Sequence, residues 1–266
     1  MQRRGSIFWG VILIVLGLLF FLRASGFLRG DVFGWFWPVF LIILGIWVLA
    51  GRYFSRGAGP DGQTFSIDLQ GAAKMELDFD HGAGAVQISG GAPTGVAISG
   101  SKASGMDVSS HLAGDSLSVN LNAGPTFIPF LGPDGGEWRF QLTQEVPVAI
   151  KVDAGASSMD FDMTDIRLSF LGVDTGASSL KVKLPANAGH TLVDIEAGAA
   201  SIDLLVPAGV GARIRFDQGV SSMDIDEQRF PFFAASANLR QSADYDSAAN
   251  KVEINLEGGA SSIRIH

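Results

Sequence analysis

The sequence predicts a membrane protein with an N-terminal transmembrane helical hairpin and an all-β soluble domain, a β-solenoid of about 21-residue coils. Three observations lead to this fold class. Two uncharged apolar stretches lie within residues 1–56, and a glycine-centred pattern of ten residues recurs between residues 79 and 265. In the middle of the chain the central glycines are at positions 155, 176, 198 and 219, so the repeat length is nearly constant.

The composition excludes several classes of protein. The chain has 266 residues and no cysteine, which excludes a disulfide framework, thiol catalysis and cysteine-ligated metal sites. Residues 1–56 hold six Arg and one acid, for a net charge of +5, whereas residues 57–266 hold 13 basic and 26 acidic residues, for a net charge of -13. A phosphate backbone would repel so acidic a domain, so nucleic acid is not an expected partner.

The first 56 residues are predicted to form two membrane spans, at about 6–22 and 32–50. These stretches are 17 and 19 residues long and carry no charge, and a helix needs roughly 20 apolar residues to cross about 30 Å of hydrocarbon. Arg residues flank both stretches, and four Trp lie near their ends, where amphipathic rings favour the interface. The expected arrangement is a multi-pass protein with the lipid bilayer as a partner.

The orientation follows from the distribution of Arg. Four lie on the outer flanks of the hairpin and two in its turn, which favours both termini, and the soluble domain, in the cytoplasm. A cleaved signal peptide is the competing interpretation, with Arg3 and Arg4 as its charged region and residues 24–26 as its small-residue site. Neither span contains an ionisable residue, which argues against a transport path.

A linker is predicted at 57–66 and the solenoid at 67–266. Each copy of the repeat reads apolar, acid, variable, Gly, three small residues, apolar, polar, apolar. The alternation indicates half-buried strands, and consecutive copies would form a ladder with the apolar positions inside. A glycine at a fixed offset indicates a corner with either a positive φ or a close approach of two backbones. The corner glycines are Gly82, Gly155, Gly176, Gly198, Gly219 and Gly259.

A carboxylate lies two residues before each corner glycine, at Asp80, Asp153, Asp174, Glu196, Asp217 and Glu257. Two interpretations are open. Each acid could accept a hydrogen bond from turn amides or a Ser hydroxyl, which would make the row structural. Alternatively, a cation or a basic partner could bind along the row.

No residues are predicted to be catalytic or to bind a cofactor or metal. Asp160, Asp162 and Asp165 do not match calcium-loop spacing, so they are expected on an exposed strand face. The four His are isolated from one another. A Ser pair recurs at the corners, whereas catalysis needs one activated Ser with its own base. The expectation is a protein that is not an enzyme and has no cofactor.

Two apolar segments interrupt the repeat, at residues 125–133, followed by Trp138, and at residues 229–233. Aromatic loops that project from a scaffold are typical contact sites for a protein partner. The alternative is that they cover an open face of the solenoid. The candidate partner contacts are Phe127, Phe130, Trp138, Phe230, Phe232 and Phe233.

A glycine-rich hairpin with Trp37 and Pro38 in its second span, followed by repeating strand-Gly-Ser-strand units, resembles the LiaI/LiaF-like membrane proteins of bacterial cell-envelope stress systems. The soluble part of these proteins is a toastrack domain. The resemblance implies a non-enzymatic regulatory or scaffold protein that senses envelope damage or restrains a membrane sensor kinase in the bacterial cytoplasmic membrane. An outward-facing, adhesin-like envelope binding module is the alternative. The sequence does not indicate an oligomeric state.

Overall fold

The described residues of the computed structural model form strands. These residues are 63–102, 106–123, 137–216, 222–233, 238–259 and 261–266, so both predicted spans lie outside them. Within them, no helix is long and apolar enough to cross a membrane. The strands are β1 Gln63–Asp68, β2 Lys74–Gly90, β3 Val96–Lys102, β4 Met106–Ala113, β5 Ser116–Ala123, β6 Glu137–Leu142, β7 Val148–Asp162, β8 Leu168–Lys183, β9 His190–Leu205, β10 Gly211–Phe216, β11 Ser222–Ile225, β12 Leu239–Gln241, β13 Lys251–Gly258 and β14 Ser262–Ile265.

The first strand corrects the predicted linker, because β1 begins at Gln63, inside the segment 57–66. β1 pairs with β3 in antiparallel fashion, and Phe65 is partly buried with its ring edge-on to Phe140 at 5.9 Å. An alternating segment outside the ten-residue pattern therefore joins the sheet, and the described part of the β domain begins at Gln63.

Four long strands form a parallel ladder in the order β2-β7-β8-β9. Phe79 pairs with Val152, Val152 with Val173, and Val173 with Ile195. From β7 to β9 these pairing offsets equal the intervals between the corner glycines of the same strands, which confirms that the copies stack with equivalent positions side by side. Parallel pairing in register places each apolar position of one copy beside the same position of the next.

The corner glycines lie inside these strands, in a continuous line of close backbone contacts. In β7 the alternation of buried and exposed residues shifts by one position at Gly155 and Ala156, both of which are exposed. A Cβ added at Gly155 would lie 2.6 Å from the carbonyl oxygen of Gly82, and one at Gly176 would lie 3.1 Å from that of Gly155. None of the described corner glycines has a positive φ, so close approach is confirmed and positive φ is wrong. Gly219 lies outside the described residues.

The ladder does not follow chain order at its C-terminal end. β13 pairs with β9 on one side and with β10 on the other, and β14 lies between β9 and β11 in the same way. The copy at 256–265 therefore lies between the copies at 195–204 and 216–225, so these two, which are consecutive in the chain, are not neighbours in the ladder. Phe216 and Leu256 pair directly, so the pairing offset of these two copies equals the nearly doubled interval between the last two corner glycines. Residues 226–250, which include β12, occupy the additional length.

The interior contains the apolar positions that the repeat predicted. Met159 and Phe161 of β7 are at most 1% exposed, and Ile263 and Ile265 of β14 at most 2%. Met223 of β11 is only partly buried, because β11 has one strand partner among the described residues. One continuous core thus follows the ladder from β2 to β14.

Candidate functional site

Five acids form an exposed row across the ladder, in the register that the repeat predicted. Each pairs with the next in the sequence Asp80, Asp153, Asp174, Glu196 and Glu257. None of the five side chains makes a hydrogen bond or ion pair with another described residue. Among these residues, the bonds to turn amides or Ser hydroxyls that the structural interpretation requires are therefore not formed. Asp217 lies outside the described residues.

A second row on the other side of the glycine line carries charges that alternate in sign. Asp160 pairs with Lys181, Lys181 with Asp203, Asp203 with Arg264, and Arg264 with Asp224. Arg264 Nε donates to Asp224 Oδ2 at 3.1 Å. Like charges about 5 Å apart in water repel by about 0.8 kcal/mol, whereas opposite charges attract by a similar amount. The same scaffold thus has one row that is electrostatically balanced and one that is not.

The predicted aromatic contacts divide into core and surface residues. Trp138 is 5% exposed and lies inside β6 against Phe79, and Phe230 is fully buried, so both are corrected from partner contacts to core residues. The physical reason for Trp138 is strand alternation, which turns it inward with Phe140. Phe232 and Phe233 are 54% and 43% exposed.

Phe127 and Phe130 lie outside the described residues. The exposed ring of Phe232 has a fixed neighbour in the Arg240 guanidinium, which lies 3.9 Å from the ring centroid. Arg240 is itself held by Glu227 at 3.2 Å and by the carbonyl oxygen of Phe230. Phe232 is therefore presented on an ordered surface.

His81 is buried in the aromatic core. Its ring stacks on Phe79 at 5.6 Å and meets Trp138 edge-on at 4.6 Å, and neither ring nitrogen has a hydrogen-bond partner. Burial lowers the pKa of His81. The backbone of Gly84 lies nearby and raises the pKa by a smaller amount, without forming a hydrogen bond to the ring. His81 therefore behaves as a neutral core residue at neutral pH.

A polar cluster beside β10 and β13 escaped the sequence analysis. The Tyr245 hydroxyl donates to Glu253 Oε1 at 2.6 Å, and the Arg213 guanidinium lies 4.2 Å from the Tyr245 ring centroid and 3.6 Å from Glu253. Burial, and then the bond to Glu253, raise the pKa of Tyr245 to about 12, while that bond lowers the pKa of Glu253. The repeat does not mark this cluster, because Tyr245 lies in a connection, although it is one of only two Tyr in the chain.

This cluster is arranged for anchoring. Proton transfer is efficient when the pKa of the transferring group lies near the operating pH. The pKa of Tyr245 is raised and that of Glu253 is lowered, so the proton stays on the hydroxyl at neutral pH. The cluster fixes the connection between β12 and β13.

Asp162 and the recurring Ser pair are the remaining candidate polar residues, and they differ in their hydrogen bonding. Asp162 Oδ2 accepts from Lys183 Nζ at 2.8 Å, and its other oxygen accepts from Thr164, so both partners lower the pKa of Asp162. The second Ser of each described pair lies in an exposed row, where Ser222 donates to Ser262 at 3.1 Å. The first Ser is buried at Ser157 and Ser261, and neither hydroxyl has a hydrogen-bond partner among the described residues. No group of three metal-ligating side chains occurs among the residues that the structure describes.

Two separate protein families match the two parts of the chain, the apolar N-terminal part and the β domain. Residues 56–205 match the family described as the N-terminal domain of toast_rack, DUF2154, which covers more than half of the chain. The chain belongs to this toast_rack family. Residues 7–49 match the LiaI-LiaF-like transmembrane region. The predicted resemblance is confirmed, and the match places a membrane anchor ahead of the toast_rack domain.

One solved structure shows the same fold. A crystal structure of a candidate cell adhesion protein from Clostridium sporogenes has a TM-score of 0.68 and 20% identity, over 76% of this chain and 97% of that chain. A candidate adhesin from Bacteroides fragilis has a TM-score of 0.31 and 8% identity, over 76% of this chain and 96% of its own. No curated protein sequence matches the toast_rack chain.

Proposed function

We propose that this toast_rack protein is a non-enzymatic, membrane-anchored regulator or scaffold in envelope-stress sensing that restrains a membrane sensor kinase. The observation that carries the proposal is the union, in one chain, of a LiaI-LiaF-like transmembrane region and a toast_rack domain. A membrane anchor joined to a rigid β scaffold can hold a protein partner at the membrane surface.

The proposal includes two statements about architecture, one on the β domain and one on the membrane spans. The β7-β8-β9 ladder pairs each copy with the next at the interval of the repeat, which supports a β-solenoid with coils of that length. The two uncharged apolar stretches at 6–22 and 32–50 and the Arg distribution support two spans with the β domain in the cytoplasm. A kinase domain on the same side of the membrane would then be within reach.

The absence of turnover is supported by the polar clusters in the described residues. The Tyr245 and Glu253 pair is fixed with its pKa values far apart, and the Ser row repeats one hydroxyl in several strands without an activating base. These side chains stabilise connections and edges.

The proposed contact surface is the Phe232 and Phe233 pair, with Phe127 and Phe130 as predicted additions. Aromatic residues that become fully desolvated at an interface commonly dominate its binding energy, with at least about 2 kcal/mol lost on truncation of one. The cation-π contact with Arg240 holds Phe232 in place before a partner arrives, which reduces the entropy lost on binding.

The test is a double substitution, Phe232→Ser with Phe233→Ser, in the full chain expressed in its host. We expect phosphorylation of the sensor kinase in unstressed cells to rise to the level of a deletion strain, while membrane abundance stays at the wild-type level. The matched control is Asp107→Ser with His111→Ser, two exposed residues of β4, which should behave as wild type. Wild-type restraint by the Phe variant, or a deletion strain without any change in kinase phosphorylation, would contradict the proposal.

The second candidate function is an outward-facing, adhesin-like envelope binding module. The observation that favours it is the shared fold with a structure described as a candidate cell adhesion protein. The two functions place the β domain on opposite sides of the membrane, so they are distinguished by its location.

A further inference from the structure

The segment Lys251–His266 occupies a slot inside the sheet. β13 has eight residues in register with β9 and six with β10, and β14 has four residues in register with each of β9 and β11. Its apolar side chains are at most 2% exposed and fill the core between those neighbours: Val252, Ile254, Leu256, Ile263 and Ile265. We call Lys251–His266 the inserted segment.

The two walls of the slot match each other. Val193 of β9 and Ile214 of β10 both pair with Ile254 of the inserted segment, so they lie in one row. The interval from Val193 to Ile214 along the chain equals that from Val152 to Val173, which pair directly between β7 and β8. Without the inserted segment, β10 has the register to pair with β9 directly and keep the same side chains facing the core.

The length of the connection from β9 to β10 also indicates that these two strands can pair directly. It has five residues, 206–210, and the connections 163–167 and 184–189, which join adjacent rungs, have five and six. Adjacent rungs are about 4.8 Å apart, so this connection spans about twice that distance. Arg229 holds it in place, donating from Nη1 to the carbonyl oxygen of Val206 at 2.6 Å and from Nη2 to that of Pro207 at 2.5 Å.

We propose that the slot between β9 and β10 is a strand-acceptor site and that the inserted segment of a second copy of this chain binds in it, which produces a strand-exchanged dimer. The incoming segment is identical to the resident one, so it restores every buried contact and the bond from Asn255 to Asp194 at 2.6 Å. Exchange requires the segment to leave its strand partners and the connection 242–250 to open, which breaks the bond from Tyr245 to Glu253. Because the incoming segment replaces the strand pairing, such swapping is a low-cost route to dimers.

Two features lower the barrier to exchange. Direct pairing of β9 with β10 shields both edges while the segment is away, so the intermediate does not leave an empty apolar slot. The membrane anchor confines copies to one plane, which raises their effective concentration.

The experiment uses the absence of native cysteine. Two full-length copies with different tags, one carrying Asp194→Cys and the other Asn255→Cys, are produced together and oxidised in membranes. These positions are register neighbours about 4.8 Å apart, within the span of a disulfide, and both are partly exposed. A disulfide that joins the two tags requires the segment of one copy to lie in the slot of the other.

Two controls make the result decisive. A single chain with both substitutions reports whether positions 194 and 255 are adjacent as described. A second pair of copies, one with Asp174→Cys and the other with Glu196→Cys, has register neighbours on β8 and β9, which are not exchanged, and it measures random collision.

We expect the 194/255 pair to give at least about ten times more two-tag disulfide than the 174/196 pair, because exchanged strands hold the thiols at a far higher effective concentration than collision does. Equal yields for the two pairs would overturn the proposal. Failure of the single chain to close its own 194/255 disulfide would also overturn it, since the slot would then not have the register described.

Discussion

Replacement of Gly155 by Ala tests the line of glycines that runs across the ladder. The new Cβ would lie 2.6 Å from the carbonyl oxygen of Gly82, whereas ordinary contacts begin at 3.4 Å. One backbone must therefore move by about the difference of 0.8 Å, and it belongs to a strand paired on both sides. Overpacking of this kind costs about 1–3 kcal/mol.

The matched control is Gly82→Ala, in the same row of the ladder. A Cβ at Gly82 meets nothing within 4 Å, and neither glycine has a positive φ. Both substitutions remove a similar amount of conformational freedom from the unfolded chain, which stabilises by about 0.4–1 kcal/mol where the side chain fits. The difference between the two variants therefore isolates the backbone contact.

The assay is calorimetric unfolding of the full chain in detergent. For a domain of about 200 residues, 1 kcal/mol corresponds to about 2–4 °C in Tm, so Gly155→Ala should melt roughly 2–12 °C below Gly82→Ala. Equal Tm values for the two variants would show that the strands are not packed as closely at their glycines as described.

Three further outcomes are expected. Asp174→Asn should stabilise the domain in urea titrations at low salt, by up to about 0.8 kcal/mol for each acidic neighbour, and the gain should shrink above 0.1 M salt; no gain at low salt would contradict an unpaired acid row. Because burial lowers the pKa of His81 in the folded protein, the imidazole of the unfolded chain is protonated at a higher pH than that of the folded chain. The free energy of unfolding should therefore fall as the pH drops below about 6.5, and His81→Phe should remove the part of this pH dependence that comes from His81. Tyr245→Phe should cost about 1.5–3 kcal/mol in urea unfolding through loss of the bond to Glu253, and an unchanged midpoint would contradict the anchoring role.

The repeat correctly predicted the structural features that depend on the local sequence pattern. Alternation identified the buried residues, and the fixed glycine identified the close approach of neighbouring backbones at Gly155 and Gly176. The repeat could not distinguish a close approach from a positive φ, because each of these conditions favours a residue without a Cβ.

The order of the last rungs depends on long-range pairing. The interval from Gly198 to Gly219 equals that from Gly155 to Gly176, and it fits direct stacking as well as it fits a slot with a strand inserted later. Trp138 is a different case, because it alternates with Arg139 and Phe140 in the sequence, and this local pattern predicts an inward-facing side chain. The contact of Tyr245 with Glu253 joins a connection to a strand, and no periodicity marks it.

The side of the membrane that holds the β domain tests the proposed function most directly. A reporter enzyme that is active only outside the cytoplasm, fused after His266, should remain inactive in intact cells, while a reporter that is active only in the cytoplasm should be active at the same position. This result is expected from four Arg on the outer flanks of the hairpin and two in its turn. Strong activity of the external reporter would contradict restraint of a kinase from the cytoplasmic side and would favour the outward-facing binding module.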